Sequence, residues 1–200
     1  DSDNAVSGAT DCSVPDVVSV PDANEPLGKV VATWHQGTAT SAFYSYTVAN
    51  RGWQPTGGAE AQVNHTSGNA TDGAVFVNGS LEARFCWTDD TNAAPNHNVY
   101  FGDGSSDVVM DATNGSDRAK VRLAFVSADY VYAAYIVDGK FIYWATSGNA
   151  GSSWTVERLL SSDAIRSEVV PLTNRTMTRM VLWLEELASG GAVIRFSRFR

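Results

Sequence analysis

Apolar residues along this chain fall in short β-branched or aromatic runs, separated by polar clusters of Gly, Asn, Asp, Ser and Thr. That is the pattern of strands and turns. No stretch keeps the helical apolar period over three turns; Met180–Leu187 comes nearest and reads as a strand. The runs are also ordered. Four times an apolar first strand is followed by a second strand that ends in a ring, a polar loop and an aromatic third strand. The ring-tipped strands are Val31-Ala32-Thr33-Trp34, Arg84-Phe85-Cys86-Trp87, Tyr132-Ala133-Ala134-Tyr135 and Met180-Val181-Leu182-Trp183. From Trp34 to Trp87 to Tyr135 to Trp183 the steps are 53, 48 and 48 residues.

The neighbouring strands keep the same period. First strands begin at Val17, Ala74, Val121 and Val169; third strands are Phe43–Tyr46, Val99–Phe101, Phe141–Trp144 and Val193–Phe196. A period near ~50 residues with several strands per unit predicts a β-propeller, because one small sheet cannot bury both faces alone. The expectation is a single all-β domain over 1–200, a four-bladed β-propeller with blades near 14–60, 72–112, 119–162 and 166–200. A fourth strand is visible in three units, at Trp53-Gln54-Pro55, Asp107–Met110 and Trp154–Leu160; the last unit has none after its third strand. An open sheet edge invites pairing. Residues 1–13 are expected to close it as a strand or arm, or a neighbouring subunit does so by strand addition.

Composition narrows the partners. With 22 Asp+Glu against 14 Lys+Arg the net charge is −8, which argues against nucleic acid or an anionic membrane, both of which need a basic face. No run approaches the ~18 apolar residues of a membrane span. The chain starts at Asp1 rather than Met, so it is expected to be processed or a fragment. Five Asn-x-Ser/Thr sequons, at Asn64, Asn69, Asn78, Asn114 and Asn174, sit in predicted turns where a glycan fits, and they point to an extracellular or cell-surface protein. Cys12 and Cys86, the two cysteines, permit one disulfide; the bland alternative for Cys86, beside Trp87, is a small buried hydrophobe. Without Cys-x-x-Cys or a third thiol no zinc or redox site is expected.

The sharpest motif is Ser147-Gly148-Asn149-Ala150-Gly151-Ser152-Ser153-Trp154. It resembles the Asp-box of sialidases and related BNR-repeat propellers, Ser-x-Asp-x-Gly-x-x-Trp, with Asn149 in place of Asp; Thr47–Trp53 looks like a shortened copy. The box implies structure rather than catalysis. Ser147 and Asn149 bond backbone groups across the turn, Gly151 takes the strained angle and Trp154 packs beneath. The resemblance extends through the repeat, but the family's arginine triad and Tyr/Glu nucleophile have no counterpart. Ser13-Val14-Pro15-Asp16 lacks the Arg of the Arg-Ile-Pro motif, and Arg84, Arg122 and Arg195 lie in no family motif.

Other constellations carry little chemistry. Asp89-Asp90 and Glu185-Glu186 are adjacent on strand-like segments and should point to opposite faces, as solvated rim charges. His35, His65 and His97 have no metal-binding spacing, and Asp103-Gly104-Ser105-Ser106-Asp107 is half of a calcium loop, with Phe101 and Val99 where oxygen ligands would stand. No Gly-x-Ser-x-Gly elbow occurs. The expected function is therefore a non-catalytic extracellular propeller that needs no cofactor or metal and binds a glycan or a protein through surface contacts. The alternatives are a structural subunit of a self-assembling surface filament, with identical subunits as partners, and a sialidase-like glycoside hydrolase or a fragment of one.

Overall fold

The computed structural model describes residues 12–22, 25–36, 42–49, 59–65, 68–90, 97–112, 115–160, 164–173 and 178–199. Every regular element among them is a strand. The first sheet is built from β1 (Cys12–Asp22), β2 (Glu25–Gln36), β3 (Ala42–Ala49) and β4 (Ala59–Gln62). The second comprises β5 (Ala70–Val77), β6 (Ala83–Asp89), β7 (Asn98–Gly102) and β8 (Asp107–Asp111). The third holds β9 (Arg118–Phe125), β10 (Val131–Val137), β11 (Phe141–Ser147) and β12 (Thr155–Leu160). The fourth has β13 (Arg166–Thr173), β14 (Arg179–Glu186) and β15 (Ala192–Phe199). Each sheet is an antiparallel meander in chain order, and none closes into a barrel.

The predicted first, second and third strands all lie in these elements. One fourth strand differs: the outer strand of the first sheet is Ala59–Gln62, while Trp53-Gln54-Pro55 lies outside the described residues, as do residues 1–11 of the expected closing arm. Tight hairpins follow the turn chemistry. Asp138 and Gly139, between β10 and β11, take φ of 53° and 66°, the positive angles that primed turns require.

The sheets stack in order through their leading strands, with β1 on β5, β5 on β9 and β9 on β13. Alternation of side chains across each strand sends one set to the preceding sheet and the other to the next. Three cores result. Val20 and Val31 of the first sheet meet Val75, Phe85 and Trp87. On the other face of the second sheet, Ala74, Cys86 and Phe101 meet Val121, Leu123 and Tyr135. Tyr132, Ala134, Ile136 and Trp144 then meet Val169, Val181 and Trp183. All four repeat rings, Trp34, Trp87, Tyr135 and Trp183, are buried. An aromatic ring removes about 150–250 Å² from water, or about 4–6 kcal/mol of transfer free energy each, so the repeat period marks the principal packing positions.

The expected Cys12–Cys86 bridge is not formed: Cys86 is a free, buried thiol. Geometry explains why. Cys86 points into the core between the second and third sheets, where its Sγ lies 3.5 Å from the Val121 carbonyl oxygen, whereas β1 packs on the opposite side of the second sheet. Burial pushes the thiol's pKa far up, the state of an inert hydrophobe.

Candidate functional site

Each leading strand carries one extra residue near the level of its repeat ring, and a charged side chain follows at once. In β1, Val14 and Pro15 stand opposite Trp34 and Asp16 follows. In β5 the extra residue is Thr71, then Asp72. In β9, Lys120 and Val121 together oppose Tyr135, then Arg122. In β13 it is Ser167, then Glu168. A bulge bends its strand and re-aims the side chain beside it. Four bulges on four adjacent strands therefore gather charge along the line where the sheets meet.

The charges form a relay between sheets. Asp16 accepts the Val75 N–H at 3.1 Å, joining the first sheet to the second. Arg122 Nη1 lies 3.5 Å from Asp72 Oδ1 and its Nη2 3.8 Å from Glu168 Oε2, spanning the second, third and fourth sheets. Lys120 Nζ reaches Glu168 Oε1 at 3.3 Å. Asp72 is buried and Arg122 mostly so, while Lys120 and Glu168 are open enough to meet a solute. Lys120 holds φ at 60°, a left-handed angle that costs a non-glycine residue about 1–2 kcal/mol. Strain of this kind collects at functional sites. His35, on β2, is buried near Asp72; burial lowers its pKa and the Asp72 charge opposes this only in part. The gathered groups, three carboxylates and two cations, can hydrogen-bond vicinal hydroxyls or carboxylates of a ligand. Among the described residues no group of three His, Cys, Asp or Glu is placed to hold a metal ion.

The residues singled out in the sequence lie elsewhere. The Asp-box turn joins β11 to β12. Ser147 Oγ accepts the N–H groups of Asn149 and Gly151 at 3.3 and 2.9 Å, Asn149 Oδ1 accepts the Ser153 N–H at 3.0 Å, and Trp154 Nε1 donates to the Gly151 carbonyl at 2.9 Å. The Trp154 ring meets Phe101 of the second sheet edge-on at 5.4 Å. The turn, Phe101, Gly102 and Asp103 line a cavity of about 110 Å³, well under the roughly 300 Å³ at which ligand pockets begin. Asp103 Oδ1 is occupied by the backbone N–H groups of Ser105 and Ser106.

The remaining candidates are each engaged locally. Arg84 pairs with Glu82 and Arg195 with Glu185, so neither joins Arg122. Asp89 is buried rather than a solvated rim charge, and Asp90 accepts the backbone and side-chain amides of Asn69. Among the sequons, Asn64 and Asn78 are buried, Asn78 capping its hairpin through Ser80 and Glu82; Asn114 and Asn174 lie outside the described residues. His65 and His97 pair with Asp107 and Asp117. Of these groups the sequence pattern singled out Arg122, but neither Asp72 nor Glu168, nor Asp16 as a ligand-contacting group; the available signal was a charge at the head of each apolar first strand, at Asp16, Asp72, Lys120 and Glu168.

No family model matches the chain, and no curated protein resembles it in sequence. Solved structures do resemble it in fold. A protein of unknown function from Dyadobacter fermentans superposes with a TM-score of 0.67 at 11% identity, over 96% of this chain and 62% of that one. The endo-arabinase of Bacteroides thetaiotaomicron gives 0.58 at 12%, over 93% and 74%. The α-L-arabinofuranosidase of Podospora anserina, solved with cellotriose, gives 0.57 at 9%, over 98% and 66%. The two enzymes are glycoside hydrolases of β-propeller-like fold, so the likeness assigns this chain an all-β, propeller-like class of fold. The chain spans about six tenths to three quarters of the length of these structures.

Proposed function

We propose that the chain is a four-bladed propeller unit of the Asp-box kind that binds a polysaccharide at the charged junction of its leading strands, as an extracellular, non-catalytic module. The observation that carries this reading is the relay of Asp72, Arg122, Lys120 and Glu168, bent to one line by a bulge in every leading strand. Carboxylates and cations side by side suit sugar hydroxyls, which donate and accept together. The likeness in fold to an endo-arabinase and an arabinofuranosidase supports a glycan over a protein as ligand. The test is affinity electrophoresis and calorimetry against arabinan, arabinoxylan and polygalacturonate. Binding is expected to weaken at least tenfold in Lys120→Ala and Glu168→Gln. No binding, or binding indifferent to both changes, overturns the reading.

A second reading, glycoside hydrolysis, is favoured by one observation: Asp72 and Glu168 flank a single arginine in a fold like that of an arabinase. A pair of carboxyl groups flanking the scissile bond is the usual machinery for that chemistry. Release of reducing ends from the same polymers, abolished in both Asp72→Asn and Glu168→Gln, would establish hydrolysis and displace the non-catalytic assignment.

A further inference from the structure

We infer that the ligand of the charged junction is a neutral, hydroxyl-rich glycan, selected by a gap between Arg122 and Glu168 that a sugar hydroxyl fills and the carboxylate of an acidic sugar does not. This rests on the binding role proposed above and names the class of polysaccharide. Two arginines on one strand make the case. Arg118 and Arg122 both lie on β9, and both face carboxylates. Arg118 is closed: its Nε and Nη2 meet Asp111 at 2.8 and 3.2 Å, and its Nη1 donates to the carbonyls of His97 and Ser116. Its side chain is 2% exposed, and its guanidinium is committed to the protein.

Arg122 is open. Its one short bond runs from Nη1 to the Val121 carbonyl at 2.8 Å. Asp72 Oδ1 lies 3.5 Å from the same nitrogen, and Glu168 Oε2 lies 3.8 Å from Nη2. Both separations exceed the roughly 3.2 Å of a well-formed bond. Among the described residues, Nε and Nη2 of Arg122 make no hydrogen bond, and neither is sealed from solvent. A polar separation of this length is the place for a bridging oxygen. An oxygen about 2.8 Å from each side spans it, accepting from Nη2 and donating to Glu168. A sugar hydroxyl does both at once, whereas a carboxylate only accepts. The 3.3 Å contact of Lys120 with Glu168 offers a second donor and acceptor to the neighbouring hydroxyl of a vicinal diol.

Charge sets the class. Arg122 and Lys120 are already balanced by Asp72 and Glu168. A carboxylate brought to Arg122 would therefore stand unneutralised beside two groups of its own sign, and such a juxtaposition rejects a ligand. A hydroxyl adds no charge. The net charge of −8 on the whole chain adds to the bias against polyanions.

The experiment is calorimetry of the 200-residue chain against arabinan and arabinoxylan, which are neutral, and polygalacturonate, which is anionic, at low and at high salt. The parent is expected to bind a neutral polymer at least tenfold more tightly than polygalacturonate, with little dependence on salt. Glu168→Gln, its folding verified by circular dichroism, should shift the preference: weaker binding of the neutral polymer and severalfold tighter binding of polygalacturonate, because the repelling charge is gone. A parent that prefers polygalacturonate, with affinity falling steeply as salt rises, overturns the inference and leaves the polysaccharide-binding role standing. No gain of polygalacturonate binding in Glu168→Gln also overturns it, since selection would then lie elsewhere than in this gap. Failure to bind any of the three polymers overturns the binding role and the inference together.

Discussion

Arg118 and Asp111 form an ion pair almost wholly out of solvent, Nε to Oδ2 at 2.8 Å and Nη2 to Oδ1 at 3.2 Å, joining the last strand of the second sheet to the first of the third. The pair is fully served. Tyr135 donates its hydroxyl to Asp111 Oδ2 at 2.9 Å, and Arg118 Nη1 donates to the carbonyls of His97 and Ser116. A repeat ring is thereby tied to the strap between two sheets. Burial, followed by the Asp111 charge, drives the Tyr135 pKa upward, so its hydroxyl remains a donor at any ordinary pH.

Removing one member of such a pair strands the other as a buried, unneutralised charge, at about 3–5 kcal/mol. Asp111→Ala should therefore lower the urea-unfolding free energy by that amount. Tyr135→Phe deletes one hydrogen bond to a charged acceptor and should cost less, about 1.5–3 kcal/mol. Equal losses in the two variants would mean that the ion pair contributes nothing beyond the hydroxyl.

Gly151 sits in the Asp-box turn at φ 90°, and a Cβ there would lie 2.1 Å from Phe101 Cε1. Gly151→Ala meets both a left-handed backbone and a ring already fixed by Trp154. A loss of about 2–4 kcal/mol is expected, combining the left-handed penalty with overpacking. The double variant Gly151→Ala/Phe101→Leu frees the space and should recover part of it. Thermal melts check both.

The repeat was legible because the residues that set it are large, apolar and buried. Trp87, Tyr135 and Trp183 each fill the gap to the preceding sheet, and Trp34 is buried at the same position of the first unit, so their spacing reports the sheets directly. The charged junction was harder to see. The bulges before Asp16, Asp72, Arg122 and Glu168 break the alternation by which a strand is recognised. Asp16, Asp72 and Glu168, ahead of their apolar runs, therefore read as loop although they belong to the strand, and Arg122 reads as an isolated strand arginine. The disulfide expectation failed for a related reason. An even cysteine count says nothing about which face of a sheet Cys86 occupies, and that face points away from β1. Asp89 misled in the same way, as a charge at a strand end that the fold buries.

Asp103 gives an acid limb. Burial raises its pKa, but hydrogen bonds from Ser105 and Ser106 together outweigh this and hold it at about 2, below the usual 3.8. A carboxylate depressed in the folded state stabilises it fully above the unfolded pKa and loses that contribution as pH falls toward the folded one. The loss should therefore appear between about pH 4 and pH 2. The group is largely open to solvent, so its share is under about 1 kcal/mol. Asp103→Asn should flatten that part of the stability–pH curve and leave the values near pH 7 close to the parent's. An unchanged slope below pH 4 would count against the turn as the source.

Cys86 should resist Ellman's reagent in the folded state, since its thiol is buried and its pKa raised. In a Cys12→Ser background no colour is expected in native buffer and one equivalent in urea. Rapid native reaction would mean that the second and third sheets separate readily.

Lys120 offers a test in which stability and binding part company. Ordinarily glycine in a strand costs about 0.5–1 kcal/mol relative to alanine. At φ 60° the order should invert, because alanine keeps the left-handed penalty that glycine escapes. Lys120→Gly is expected to be more stable than Lys120→Ala by about 1 kcal/mol in urea titrations. Both lose the ammonium that faces Glu168 at 3.3 Å, so both should lose polysaccharide affinity to the same degree. If glycine restored binding as well as stability, the cation would be dispensable and the bulge itself, through the direction it gives Arg122, would be the feature that meets the ligand.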